Sequence, residues 1–436
     1  MKEIFIEDLN RIEKEYSKNI GYTIARRALN KTKISDLSIK SEQTEYTRNA
    51  FSIDLKTLPV TNQKRSGRCW IFAGCNVIRE KIAQKYNLKD FELSQNYIAF
   101  YDKLEKCNYL LEKIISLKDR EKDDRTLDYL LSTGIQDGGQ WDLFVNVVNK
   151  YGLVSKSAFP ETFQSSNTAE IDKLLNKYIR KFAYDIRNTK VDIQAEKDEY
   201  IKNIYKILCS SFGVPPKEFS FEYVDKDKNY HIIKDLTPLK FYKEIVPIDL
   251  NDYVSIINSP TDDKPFNKVY TVDFLGNVLE GNEIIYLNLE IERLKELAIN
   301  QLKEGETVWF GSDCGKEADR ENGIWDDKTF DIDTLFQINS EMSKCAMLDT
   351  RESAMNHAMV ITGVNLDENK PTKWKIENSW GDDVANKGYY TATDTWFSKF
   401  VYQIVVNKKY LTEKEQEILK EEKIRLKPWD PMGTLA

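Results

Sequence analysis

Hydrophobic periodicity changes partway along this chain, and that change limits the fold more than any other feature. Through residue 210 the recurrent apolar pattern is helical: Ile71, Cys75, Ile78 and Ile82 lie at the spacing of one buried stripe, within a segment that reads as a helix over 66–87. Ile171, Leu174, Leu175, Tyr178, Ile179 and Phe182 repeat the pattern over 168–210, and Gly213, Pro215 and Pro216 close it. Residues 1–50 read as one or two short helices and a polar loop. From about 284 a single helix, 289–304, leads into short β-like runs at 307–311, 357–364, 373–378, 387–393 and 400–407. A mostly helical first half followed by a strand-rich last third predicts an α+β chain with a cleft between unlike units. Such clefts commonly hold active sites.

At 436 residues the chain exceeds the size of one ordinary core, so two or more packed units are expected. The formal net charge of −7 gives no overall electrostatic support for a nucleic-acid partner. No apolar run approaches the roughly 18 residues of a membrane span, and the acid-interrupted start MKEIFIEDLNRIEKEY does not read as a signal peptide. Six cysteines (69, 75, 107, 209, 314 and 345) without a Cys-x-x-Cys pair point to a reducing compartment, and a cytoplasmic protein is expected.

Imidazole chemistry has two candidates, since His231 and His357 are the only histidines. His231 lies in the charged, turn-like stretch KDKNYHIIKD and reads as a solvated or structural residue. His357 opens the apolar run HAMVITGV at a strand entrance, where a lone histidine would ordinarily be a satisfied core residue. Its companions change that reading. Upstream stands Gln63-Lys64-Arg65-Ser66-Gly67-Arg68-Cys69-Trp70, and downstream Trp374 to Gly381 with Asn378. A thiol reacts as thiolate, and a helix N-terminus with a nearby imidazolium favours that form. Cys69 is placed at such an N-terminus, Gly67 permits a close backbone approach before it, and the Cys69 N–H is left to donate to an oxyanion. Gln63 adds a candidate side-chain donor to the same hole. Strand alternation puts Trp374, Ile376 and Asn378 on one face, so Asn378 is expected to be buried and to orient a histidine, with Trp380 shielding the bond. Taken singly, Cys69 reads as a small buried hydrophobe and Gln63 and Asn378 as loop polar residues; their conjunction in this order favours chemistry.

These segments resemble the papain superfamily, with Ser-Gly-Arg-Cys-Trp where Cys-Gly-Ser-Cys-Trp is usual. More narrowly the chain is similar to the bleomycin hydrolase and aminopeptidase C family. The likeness is carried by SGRCWIFAG (66–74), DGGQWD (137–142), VWFGSDCGK (308–316), ESAMNHAMVITGV (352–364), KIENSWG (375–381) and WDPMGTLA (429–436). Cys69 and His357 are 288 residues apart, against roughly 130–150 in ordinary papain-like enzymes, in keeping with the helical insertion of that family.

The resemblance implies a papain-like two-part fold, a helical half plus an antiparallel β half, with a large helical insertion and a C-terminal tail in the cleft. The expected divisions are 1–160 with the nucleophile, 161–285 as helical and oligomerisation insertion, 286–410 with histidine and asparagine, and 411–436 as C-terminal helix and tail. It implies Cys69, His357, Asn378 and Gln63 as catalytic residues, and Gly138, Gly139 and the carboxylate of Ala436 as substrate-binding positions. It further implies a homohexamer that acts on peptides as an aminopeptidase through a Cys69 thioester, without metal or organic cofactor. An endopeptidase of the same fold, a hexameric nucleic-acid-binding protein and a catalytically silent scaffold are the competing readings. Gly311 to Lys316 is one residue short of a phosphate loop. Asp225, Asp227 and Asn229 imitate a calcium loop, but Tyr230 stands where glycine is required.

Overall fold

The computed structural model describes residues 3–40, 50–188, 190 and 192–435. A twelve-stranded mixed sheet among these residues forms the frame. At its middle Val401–Asn407, Val308–Ser312, His357–Asp367, Lys370–Glu377 and Tyr389–Thr393 run antiparallel, each to the next. The first four residue steps of the His357 strand show why this region is central. Ala358 and Val360 join the apolar cluster containing the Cys69–Tyr86 helix, whereas Met359 and Ile361 join one containing the Ile291–Lys303 helix. Period-two alternation thus buries both faces, giving a continuous apolar run instead of the apolar/polar alternation of a half-exposed strand.

The sequence pattern anticipates the five central strands within a few residues of their observed ends, but not the remaining seven. Tyr253–Ile257, Lys268–Val272, Tyr286–Asn288 and Ile424–Leu426 extend the sheet on one side. Here the sheet is not purely antiparallel: Tyr253–Ile257 runs parallel to Tyr286–Asn288, and Lys268–Val272 parallel to Ile424–Leu426. These strands are three to five residues long, too short for their own periodicity to separate strand from buried helix. A second, two-stranded sheet pairs Phe219–Val224 with Tyr230–Leu236. Its turn contains the calcium-loop imitation: Asp225 accepts from the Asn229 N–H at 2.9 Å and pairs with His231 at 2.8 Å, so these residues close a hairpin.

The helix carrying Cys69 starts at Cys69 and not at 66, and it is buried around most of its circumference. Ile71, Cys75, Ile78 and Ile82 are buried as expected, but so are Trp70, Phe72, Ala73, Val77 and Ala83. It lies between the sheet and the helices Gln95–Ser116 and Trp141–Tyr151 in one apolar cluster, and a helix enclosed this way needs apolar residues all round. The 168–210 pattern resolves into Ala169–Asn188 and Ile193–Phe212. Ile171, Leu175, Ile179 and Phe182 form the buried stripe of the first, while Leu174 is 48% exposed. Leu174 is one helical step from Leu175 and so points away from that stripe. Among the described residues no helix is long and apolar enough to cross a membrane, and all six cysteines are free thiols.

Two polar side chains within the enclosed helix tie it to the sheet. Arg79 pairs with Glu377 at 2.9 Å, both side chains 1% exposed. The Asn76 amide donates to the same Glu377 oxygen at 2.8 Å. Removing one partner leaves the other charge buried, which costs roughly 3–5 kcal/mol, whereas replacing both by apolar groups avoids that penalty. Arg79→Met alone is therefore expected to lower unfolding stability by roughly 3–5 kcal/mol in a urea titration, with Arg79→Met/Glu377→Leu recovering most of the loss. A single variant within 1 kcal/mol of the parent would contradict this account of the core.

Candidate active site

Cys69 is the first residue of its helix, so its backbone N–H has no acceptor within the helix. The turn leading into it is held from outside. The Gly67 N–H donates to Asp137 Oδ2 at 2.7 Å, and a Cβ on Gly67 would lie 2.8 Å from Asp137 Cβ. Arg68, buried at the N-cap, reaches Glu161 through both terminal nitrogens at 3.2 and 2.9 Å. The helix thereby delivers the thiol to the head of the central strand, where Cys69 Sγ accepts from the Ala358 N–H at 3.4 Å.

His357 immediately precedes Ala358 and lies 2.8 Å, through Nε2, from Asn378 Oδ1. The same oxygen accepts from the Ser379 N–H at 2.8 Å, which sets the orientation of the Asn378 amide. An amide oxygen only accepts, so the imidazole carries its proton on Nε2 and leaves Nδ1 with a free lone pair. Trp380 stacks on the imidazole at 5.0 Å between centroids. Gln63 is buried, with Nε2 donating to Ser66 O at 2.6 Å and Oε1 accepting from Ser379 Oγ at 2.6 Å. Ser379, which sequence reasoning left without a role, therefore orients both Asn378 and Gln63; its place inside Asn-Ser-Trp-Gly was the available signal.

Burial acts on Cys69 and His357 in opposite senses. It pushes the Cys69 thiol up to about 11, against the Ala358 and Trp70 N–H groups. It pushes His357 down to about 4, against the Asn378 hydrogen bond and with help from the Arg320 charge. Each charge is penalised when formed alone. Transfer of one proton from sulfur to imidazole forms both charges together and leaves the net charge of the site unchanged.

The Gly138–Gly139 segment lies against the nucleophile helix. Trp70 Nε1 donates to Asp137 O at 2.7 Å, and Lys106 donates to the carbonyls of Gly138 and Gln136. Gly139 has no room for a side chain, because a Cβ there would lie 2.5 Å from the Trp70 ring. Burial alone would raise the Asp137 carboxyl, but the Lys103 ammonium at 2.5 Å holds it well below the usual carboxylate range, assisted by Thr168 and the Gly67 N–H. Asp137 and Lys103 are the other positioning pair that sequence reasoning missed.

Ala436 lies outside the described residues, but the tail before it runs alongside the site. Met432, Gly433 and Leu435 are buried. Tyr286 donates to Met432 O at 3.1 Å and Thr434 Oγ1 to Met355 O at 2.7 Å. Leu435 Cδ2 lies 3.6 Å from where a Gly311 Cβ would stand, and Gly311 is the register partner of Ala358. His231 stands apart from these groups, paired with Asp225 and stacked on Tyr223. Among the described residues no three or more His, Cys, Asp and Glu side chains converge into a group that could hold a metal ion.

Comparison with known proteins gives the same chain-wide picture. The model of the Peptidase C1-like family matches residues 3–433. Aminopeptidase C of Lactobacillus delbrueckii subsp. lactis is 46% identical over 100% of this chain and 99% of its own length. Bleomycin hydrolase of Mus musculus is 42% identical over 87% of this chain and 86% of its own. The crystal structure of PepW from Lactobacillus rhamnosis HN001 superposes with a TM-score of 0.97 at 46% identity, covering 100% of this chain and 99% of that one.

Proposed function

We propose that this chain, which belongs to the Peptidase C1-like family, is a cysteine aminopeptidase in which Cys69 attacks the peptide carbonyl and His357 carries the proton. The observation that carries this reading is the approach of Cys69 Sγ to the Ala358 N–H at 3.4 Å, beside an imidazole fixed by Asn378 at 2.8 Å. Proton transfer to His357 Nδ1 produces thiolate and imidazolium together. The thiolate forms a tetrahedral adduct, whose oxyanion is received by the Cys69 N–H and the remaining Gln63 amide hydrogen. Collapse to the thioester releases the amine, which takes its proton from His357. Water then attacks with His357 as base, and the acid is released. Gly138 and Gly139 offer backbone to the substrate along the cleft wall.

The active protonation state holds one proton across the pair. Below the lower ionisation both groups are protonated and no thiolate forms; above the upper one the acid for the leaving amine is lost. Burial moves the imidazole down from 6.5 to about 4 and the thiol up from 9.0 to about 11. A broad bell in kcat/KM is therefore expected, its acid limb below 6.5 and its alkaline limb above 9.0. Cys69→Ala serves as the inactive reference. A narrow bell with both limbs inside that interval, or appreciable turnover by Cys69→Ala, contradicts the mechanism.

Restriction to free N-termini is assigned to the tail. Relatives named Aminopeptidase C match from end to end, and the 432–435 stretch, with Met432, Gly433 and Leu435 buried beside Met355 and Gly311, occupies space that a longer acyl-side substrate would need. The carboxylate of Ala436 would then face the substrate's α-ammonium group. Two such charges about 4 Å apart attract by roughly 4 kcal/mol at an effective dielectric near 20, before desolvation is subtracted. Deleting 430–436 is expected to weaken cleavage of free-amine peptides and to admit N-acetylated ones. Full retention of the free-amine preference after deletion assigns the specificity elsewhere.

A homohexamer is part of the same proposal. The Ile6–Lys18 helix has no buried residue, and Phe5, Leu9 and Ile12 expose about half their surface each along one side of it. Such a stripe is stable in water when a second surface covers it. Light scattering on a sizing column is expected to give six chains for the parent and fewer for Leu9→Lys/Ile12→Lys. A monomeric parent would remove the assembly from the reading.

A further inference from the structure

Arg320 stands exposed beside the site, and no carboxylate of the described residues forms an ion pair with it. Its guanidinium carbon lies 5.4 Å over the Trp380 ring, which is stacked on His357 at 5.0 Å. The backbone under it is well held. Ala318–Asp319 pairs with Ile324–Trp325, and Asp319 accepts from the Asn322 N–H at 3.1 Å and its side-chain amide at 2.7 Å. Gly323, at φ +70°, closes the turn where a Cβ would lie 2.5 Å from that of Ala385. Trp325 stacks on Tyr390 at 4.5 Å, and Tyr390 meets Trp380 edge-on at 5.9 Å. A ladder of rings thus braces both the hairpin and the surface on which the guanidinium rests. Glu321 follows Arg320 in the chain, Asp382 and Asp383 follow Trp380, and none of them pairs with Arg320.

The direction of the leaving group gives this cation a use, on the reading that His357 protonates the departing amine. Chain beyond the cleaved bond must then pass over His357 and the ring that covers it, toward Arg320. We propose that Arg320 binds the C-terminal carboxylate of short peptides on the leaving-group side, selecting substrates that end one to three residues beyond the cleaved bond. An extended chain advances roughly 3.3–3.6 Å per residue, so one to three residues span the two ring contacts that separate imidazole from guanidinium. The planar guanidinium fork suits a carboxylate in two-point contact. Stacking on Trp380 orients that fork while leaving its edge in solvent.

The test compares kcat/KM for matched di- and tripeptides as free acids and as C-terminal amides, with a ten-residue pair as the long control. The parent enzyme is expected to favour the short acids by about three- to tenfold, the range of a partly exposed charge-assisted contact, and to show no preference in the long pair. The short-pair ratio should fall to about one in Arg320→Met, invert in Arg320→Glu and persist in part in Arg320→Lys. No acid preference in the parent overturns the proposal, as does a short-pair ratio that survives Arg320→Met, including one that survives a common fall in both rates. Failure of the parent to cut either member of any pair overturns the peptidase reading itself, a result separate from the loss of a ratio.

Discussion

The ion pair between Arg79 and Glu377 joins the two structural units that must meet for the site to exist. Arg79 lies three helical turns into the nucleophile helix, and Glu377 immediately precedes Asn378. With Asn76 donating to the same carboxylate, the helix that carries Cys69 is fixed against the strand that leads into Asn378. An apolar contact would hold the two surfaces together without setting their register along the strand. A buried pair of charges sets it, because any slip takes Glu377 away from Arg79 and leaves its carboxylate unpaired in a low-dielectric interior.

Around that joint the polar groups form a continuous set. Ser379 holds Asn378 with its N–H and Gln63 with its hydroxyl, while the Gln63 N–H donates to Ser379 O at 2.8 Å. The turn before Cys69 is held separately, by Asp137 through Gly67, and Lys103 balances the Asp137 charge. On the proposed mechanism, preorganisation of this kind keeps donors aimed at a developing oxyanion without reorganisation during the reaction. On the same proposed mechanism Cys69 and His357, both buried, avoid an isolated charge by exchanging a proton with each other.

Two boundaries of the cleft have different physical characters. On one side the tail, with Met432 and Leu435 buried, fills space with apolar surface. On the other, the Trp380 ring, braced edge-on by the buried Tyr390, carries the Arg320 guanidinium 5.4 Å above it. An enzyme bounded by filled volume at one end and by charge at the other would read both ends of a short peptide. The Arg320 substitutions separate that idea from the chemistry at Cys69.

The amino-acid sequence by itself determined the helical and strand-rich parts and the five central strands, and it singled out Cys69, His357, Asn378 and Gln63 as candidates that the fold then brings together. Each of these depends on local periodicity or on a short run of residues whose chemistry is distinctive. Tertiary structure alone decided that Arg79 and Glu377 are partners, that Asp137 holds the turn at Gly67, and that Leu174 faces solvent while Leu175 is buried. It also decided that Tyr253–Ile257, Lys268–Val272 and Ile424–Leu426 complete the sheet. The physical reason is distance along the chain. An arginine, a glutamate or a five-residue apolar run has the same local pattern at the surface as in the core, and only the residue that packs against it, often hundreds of positions away, selects between the two.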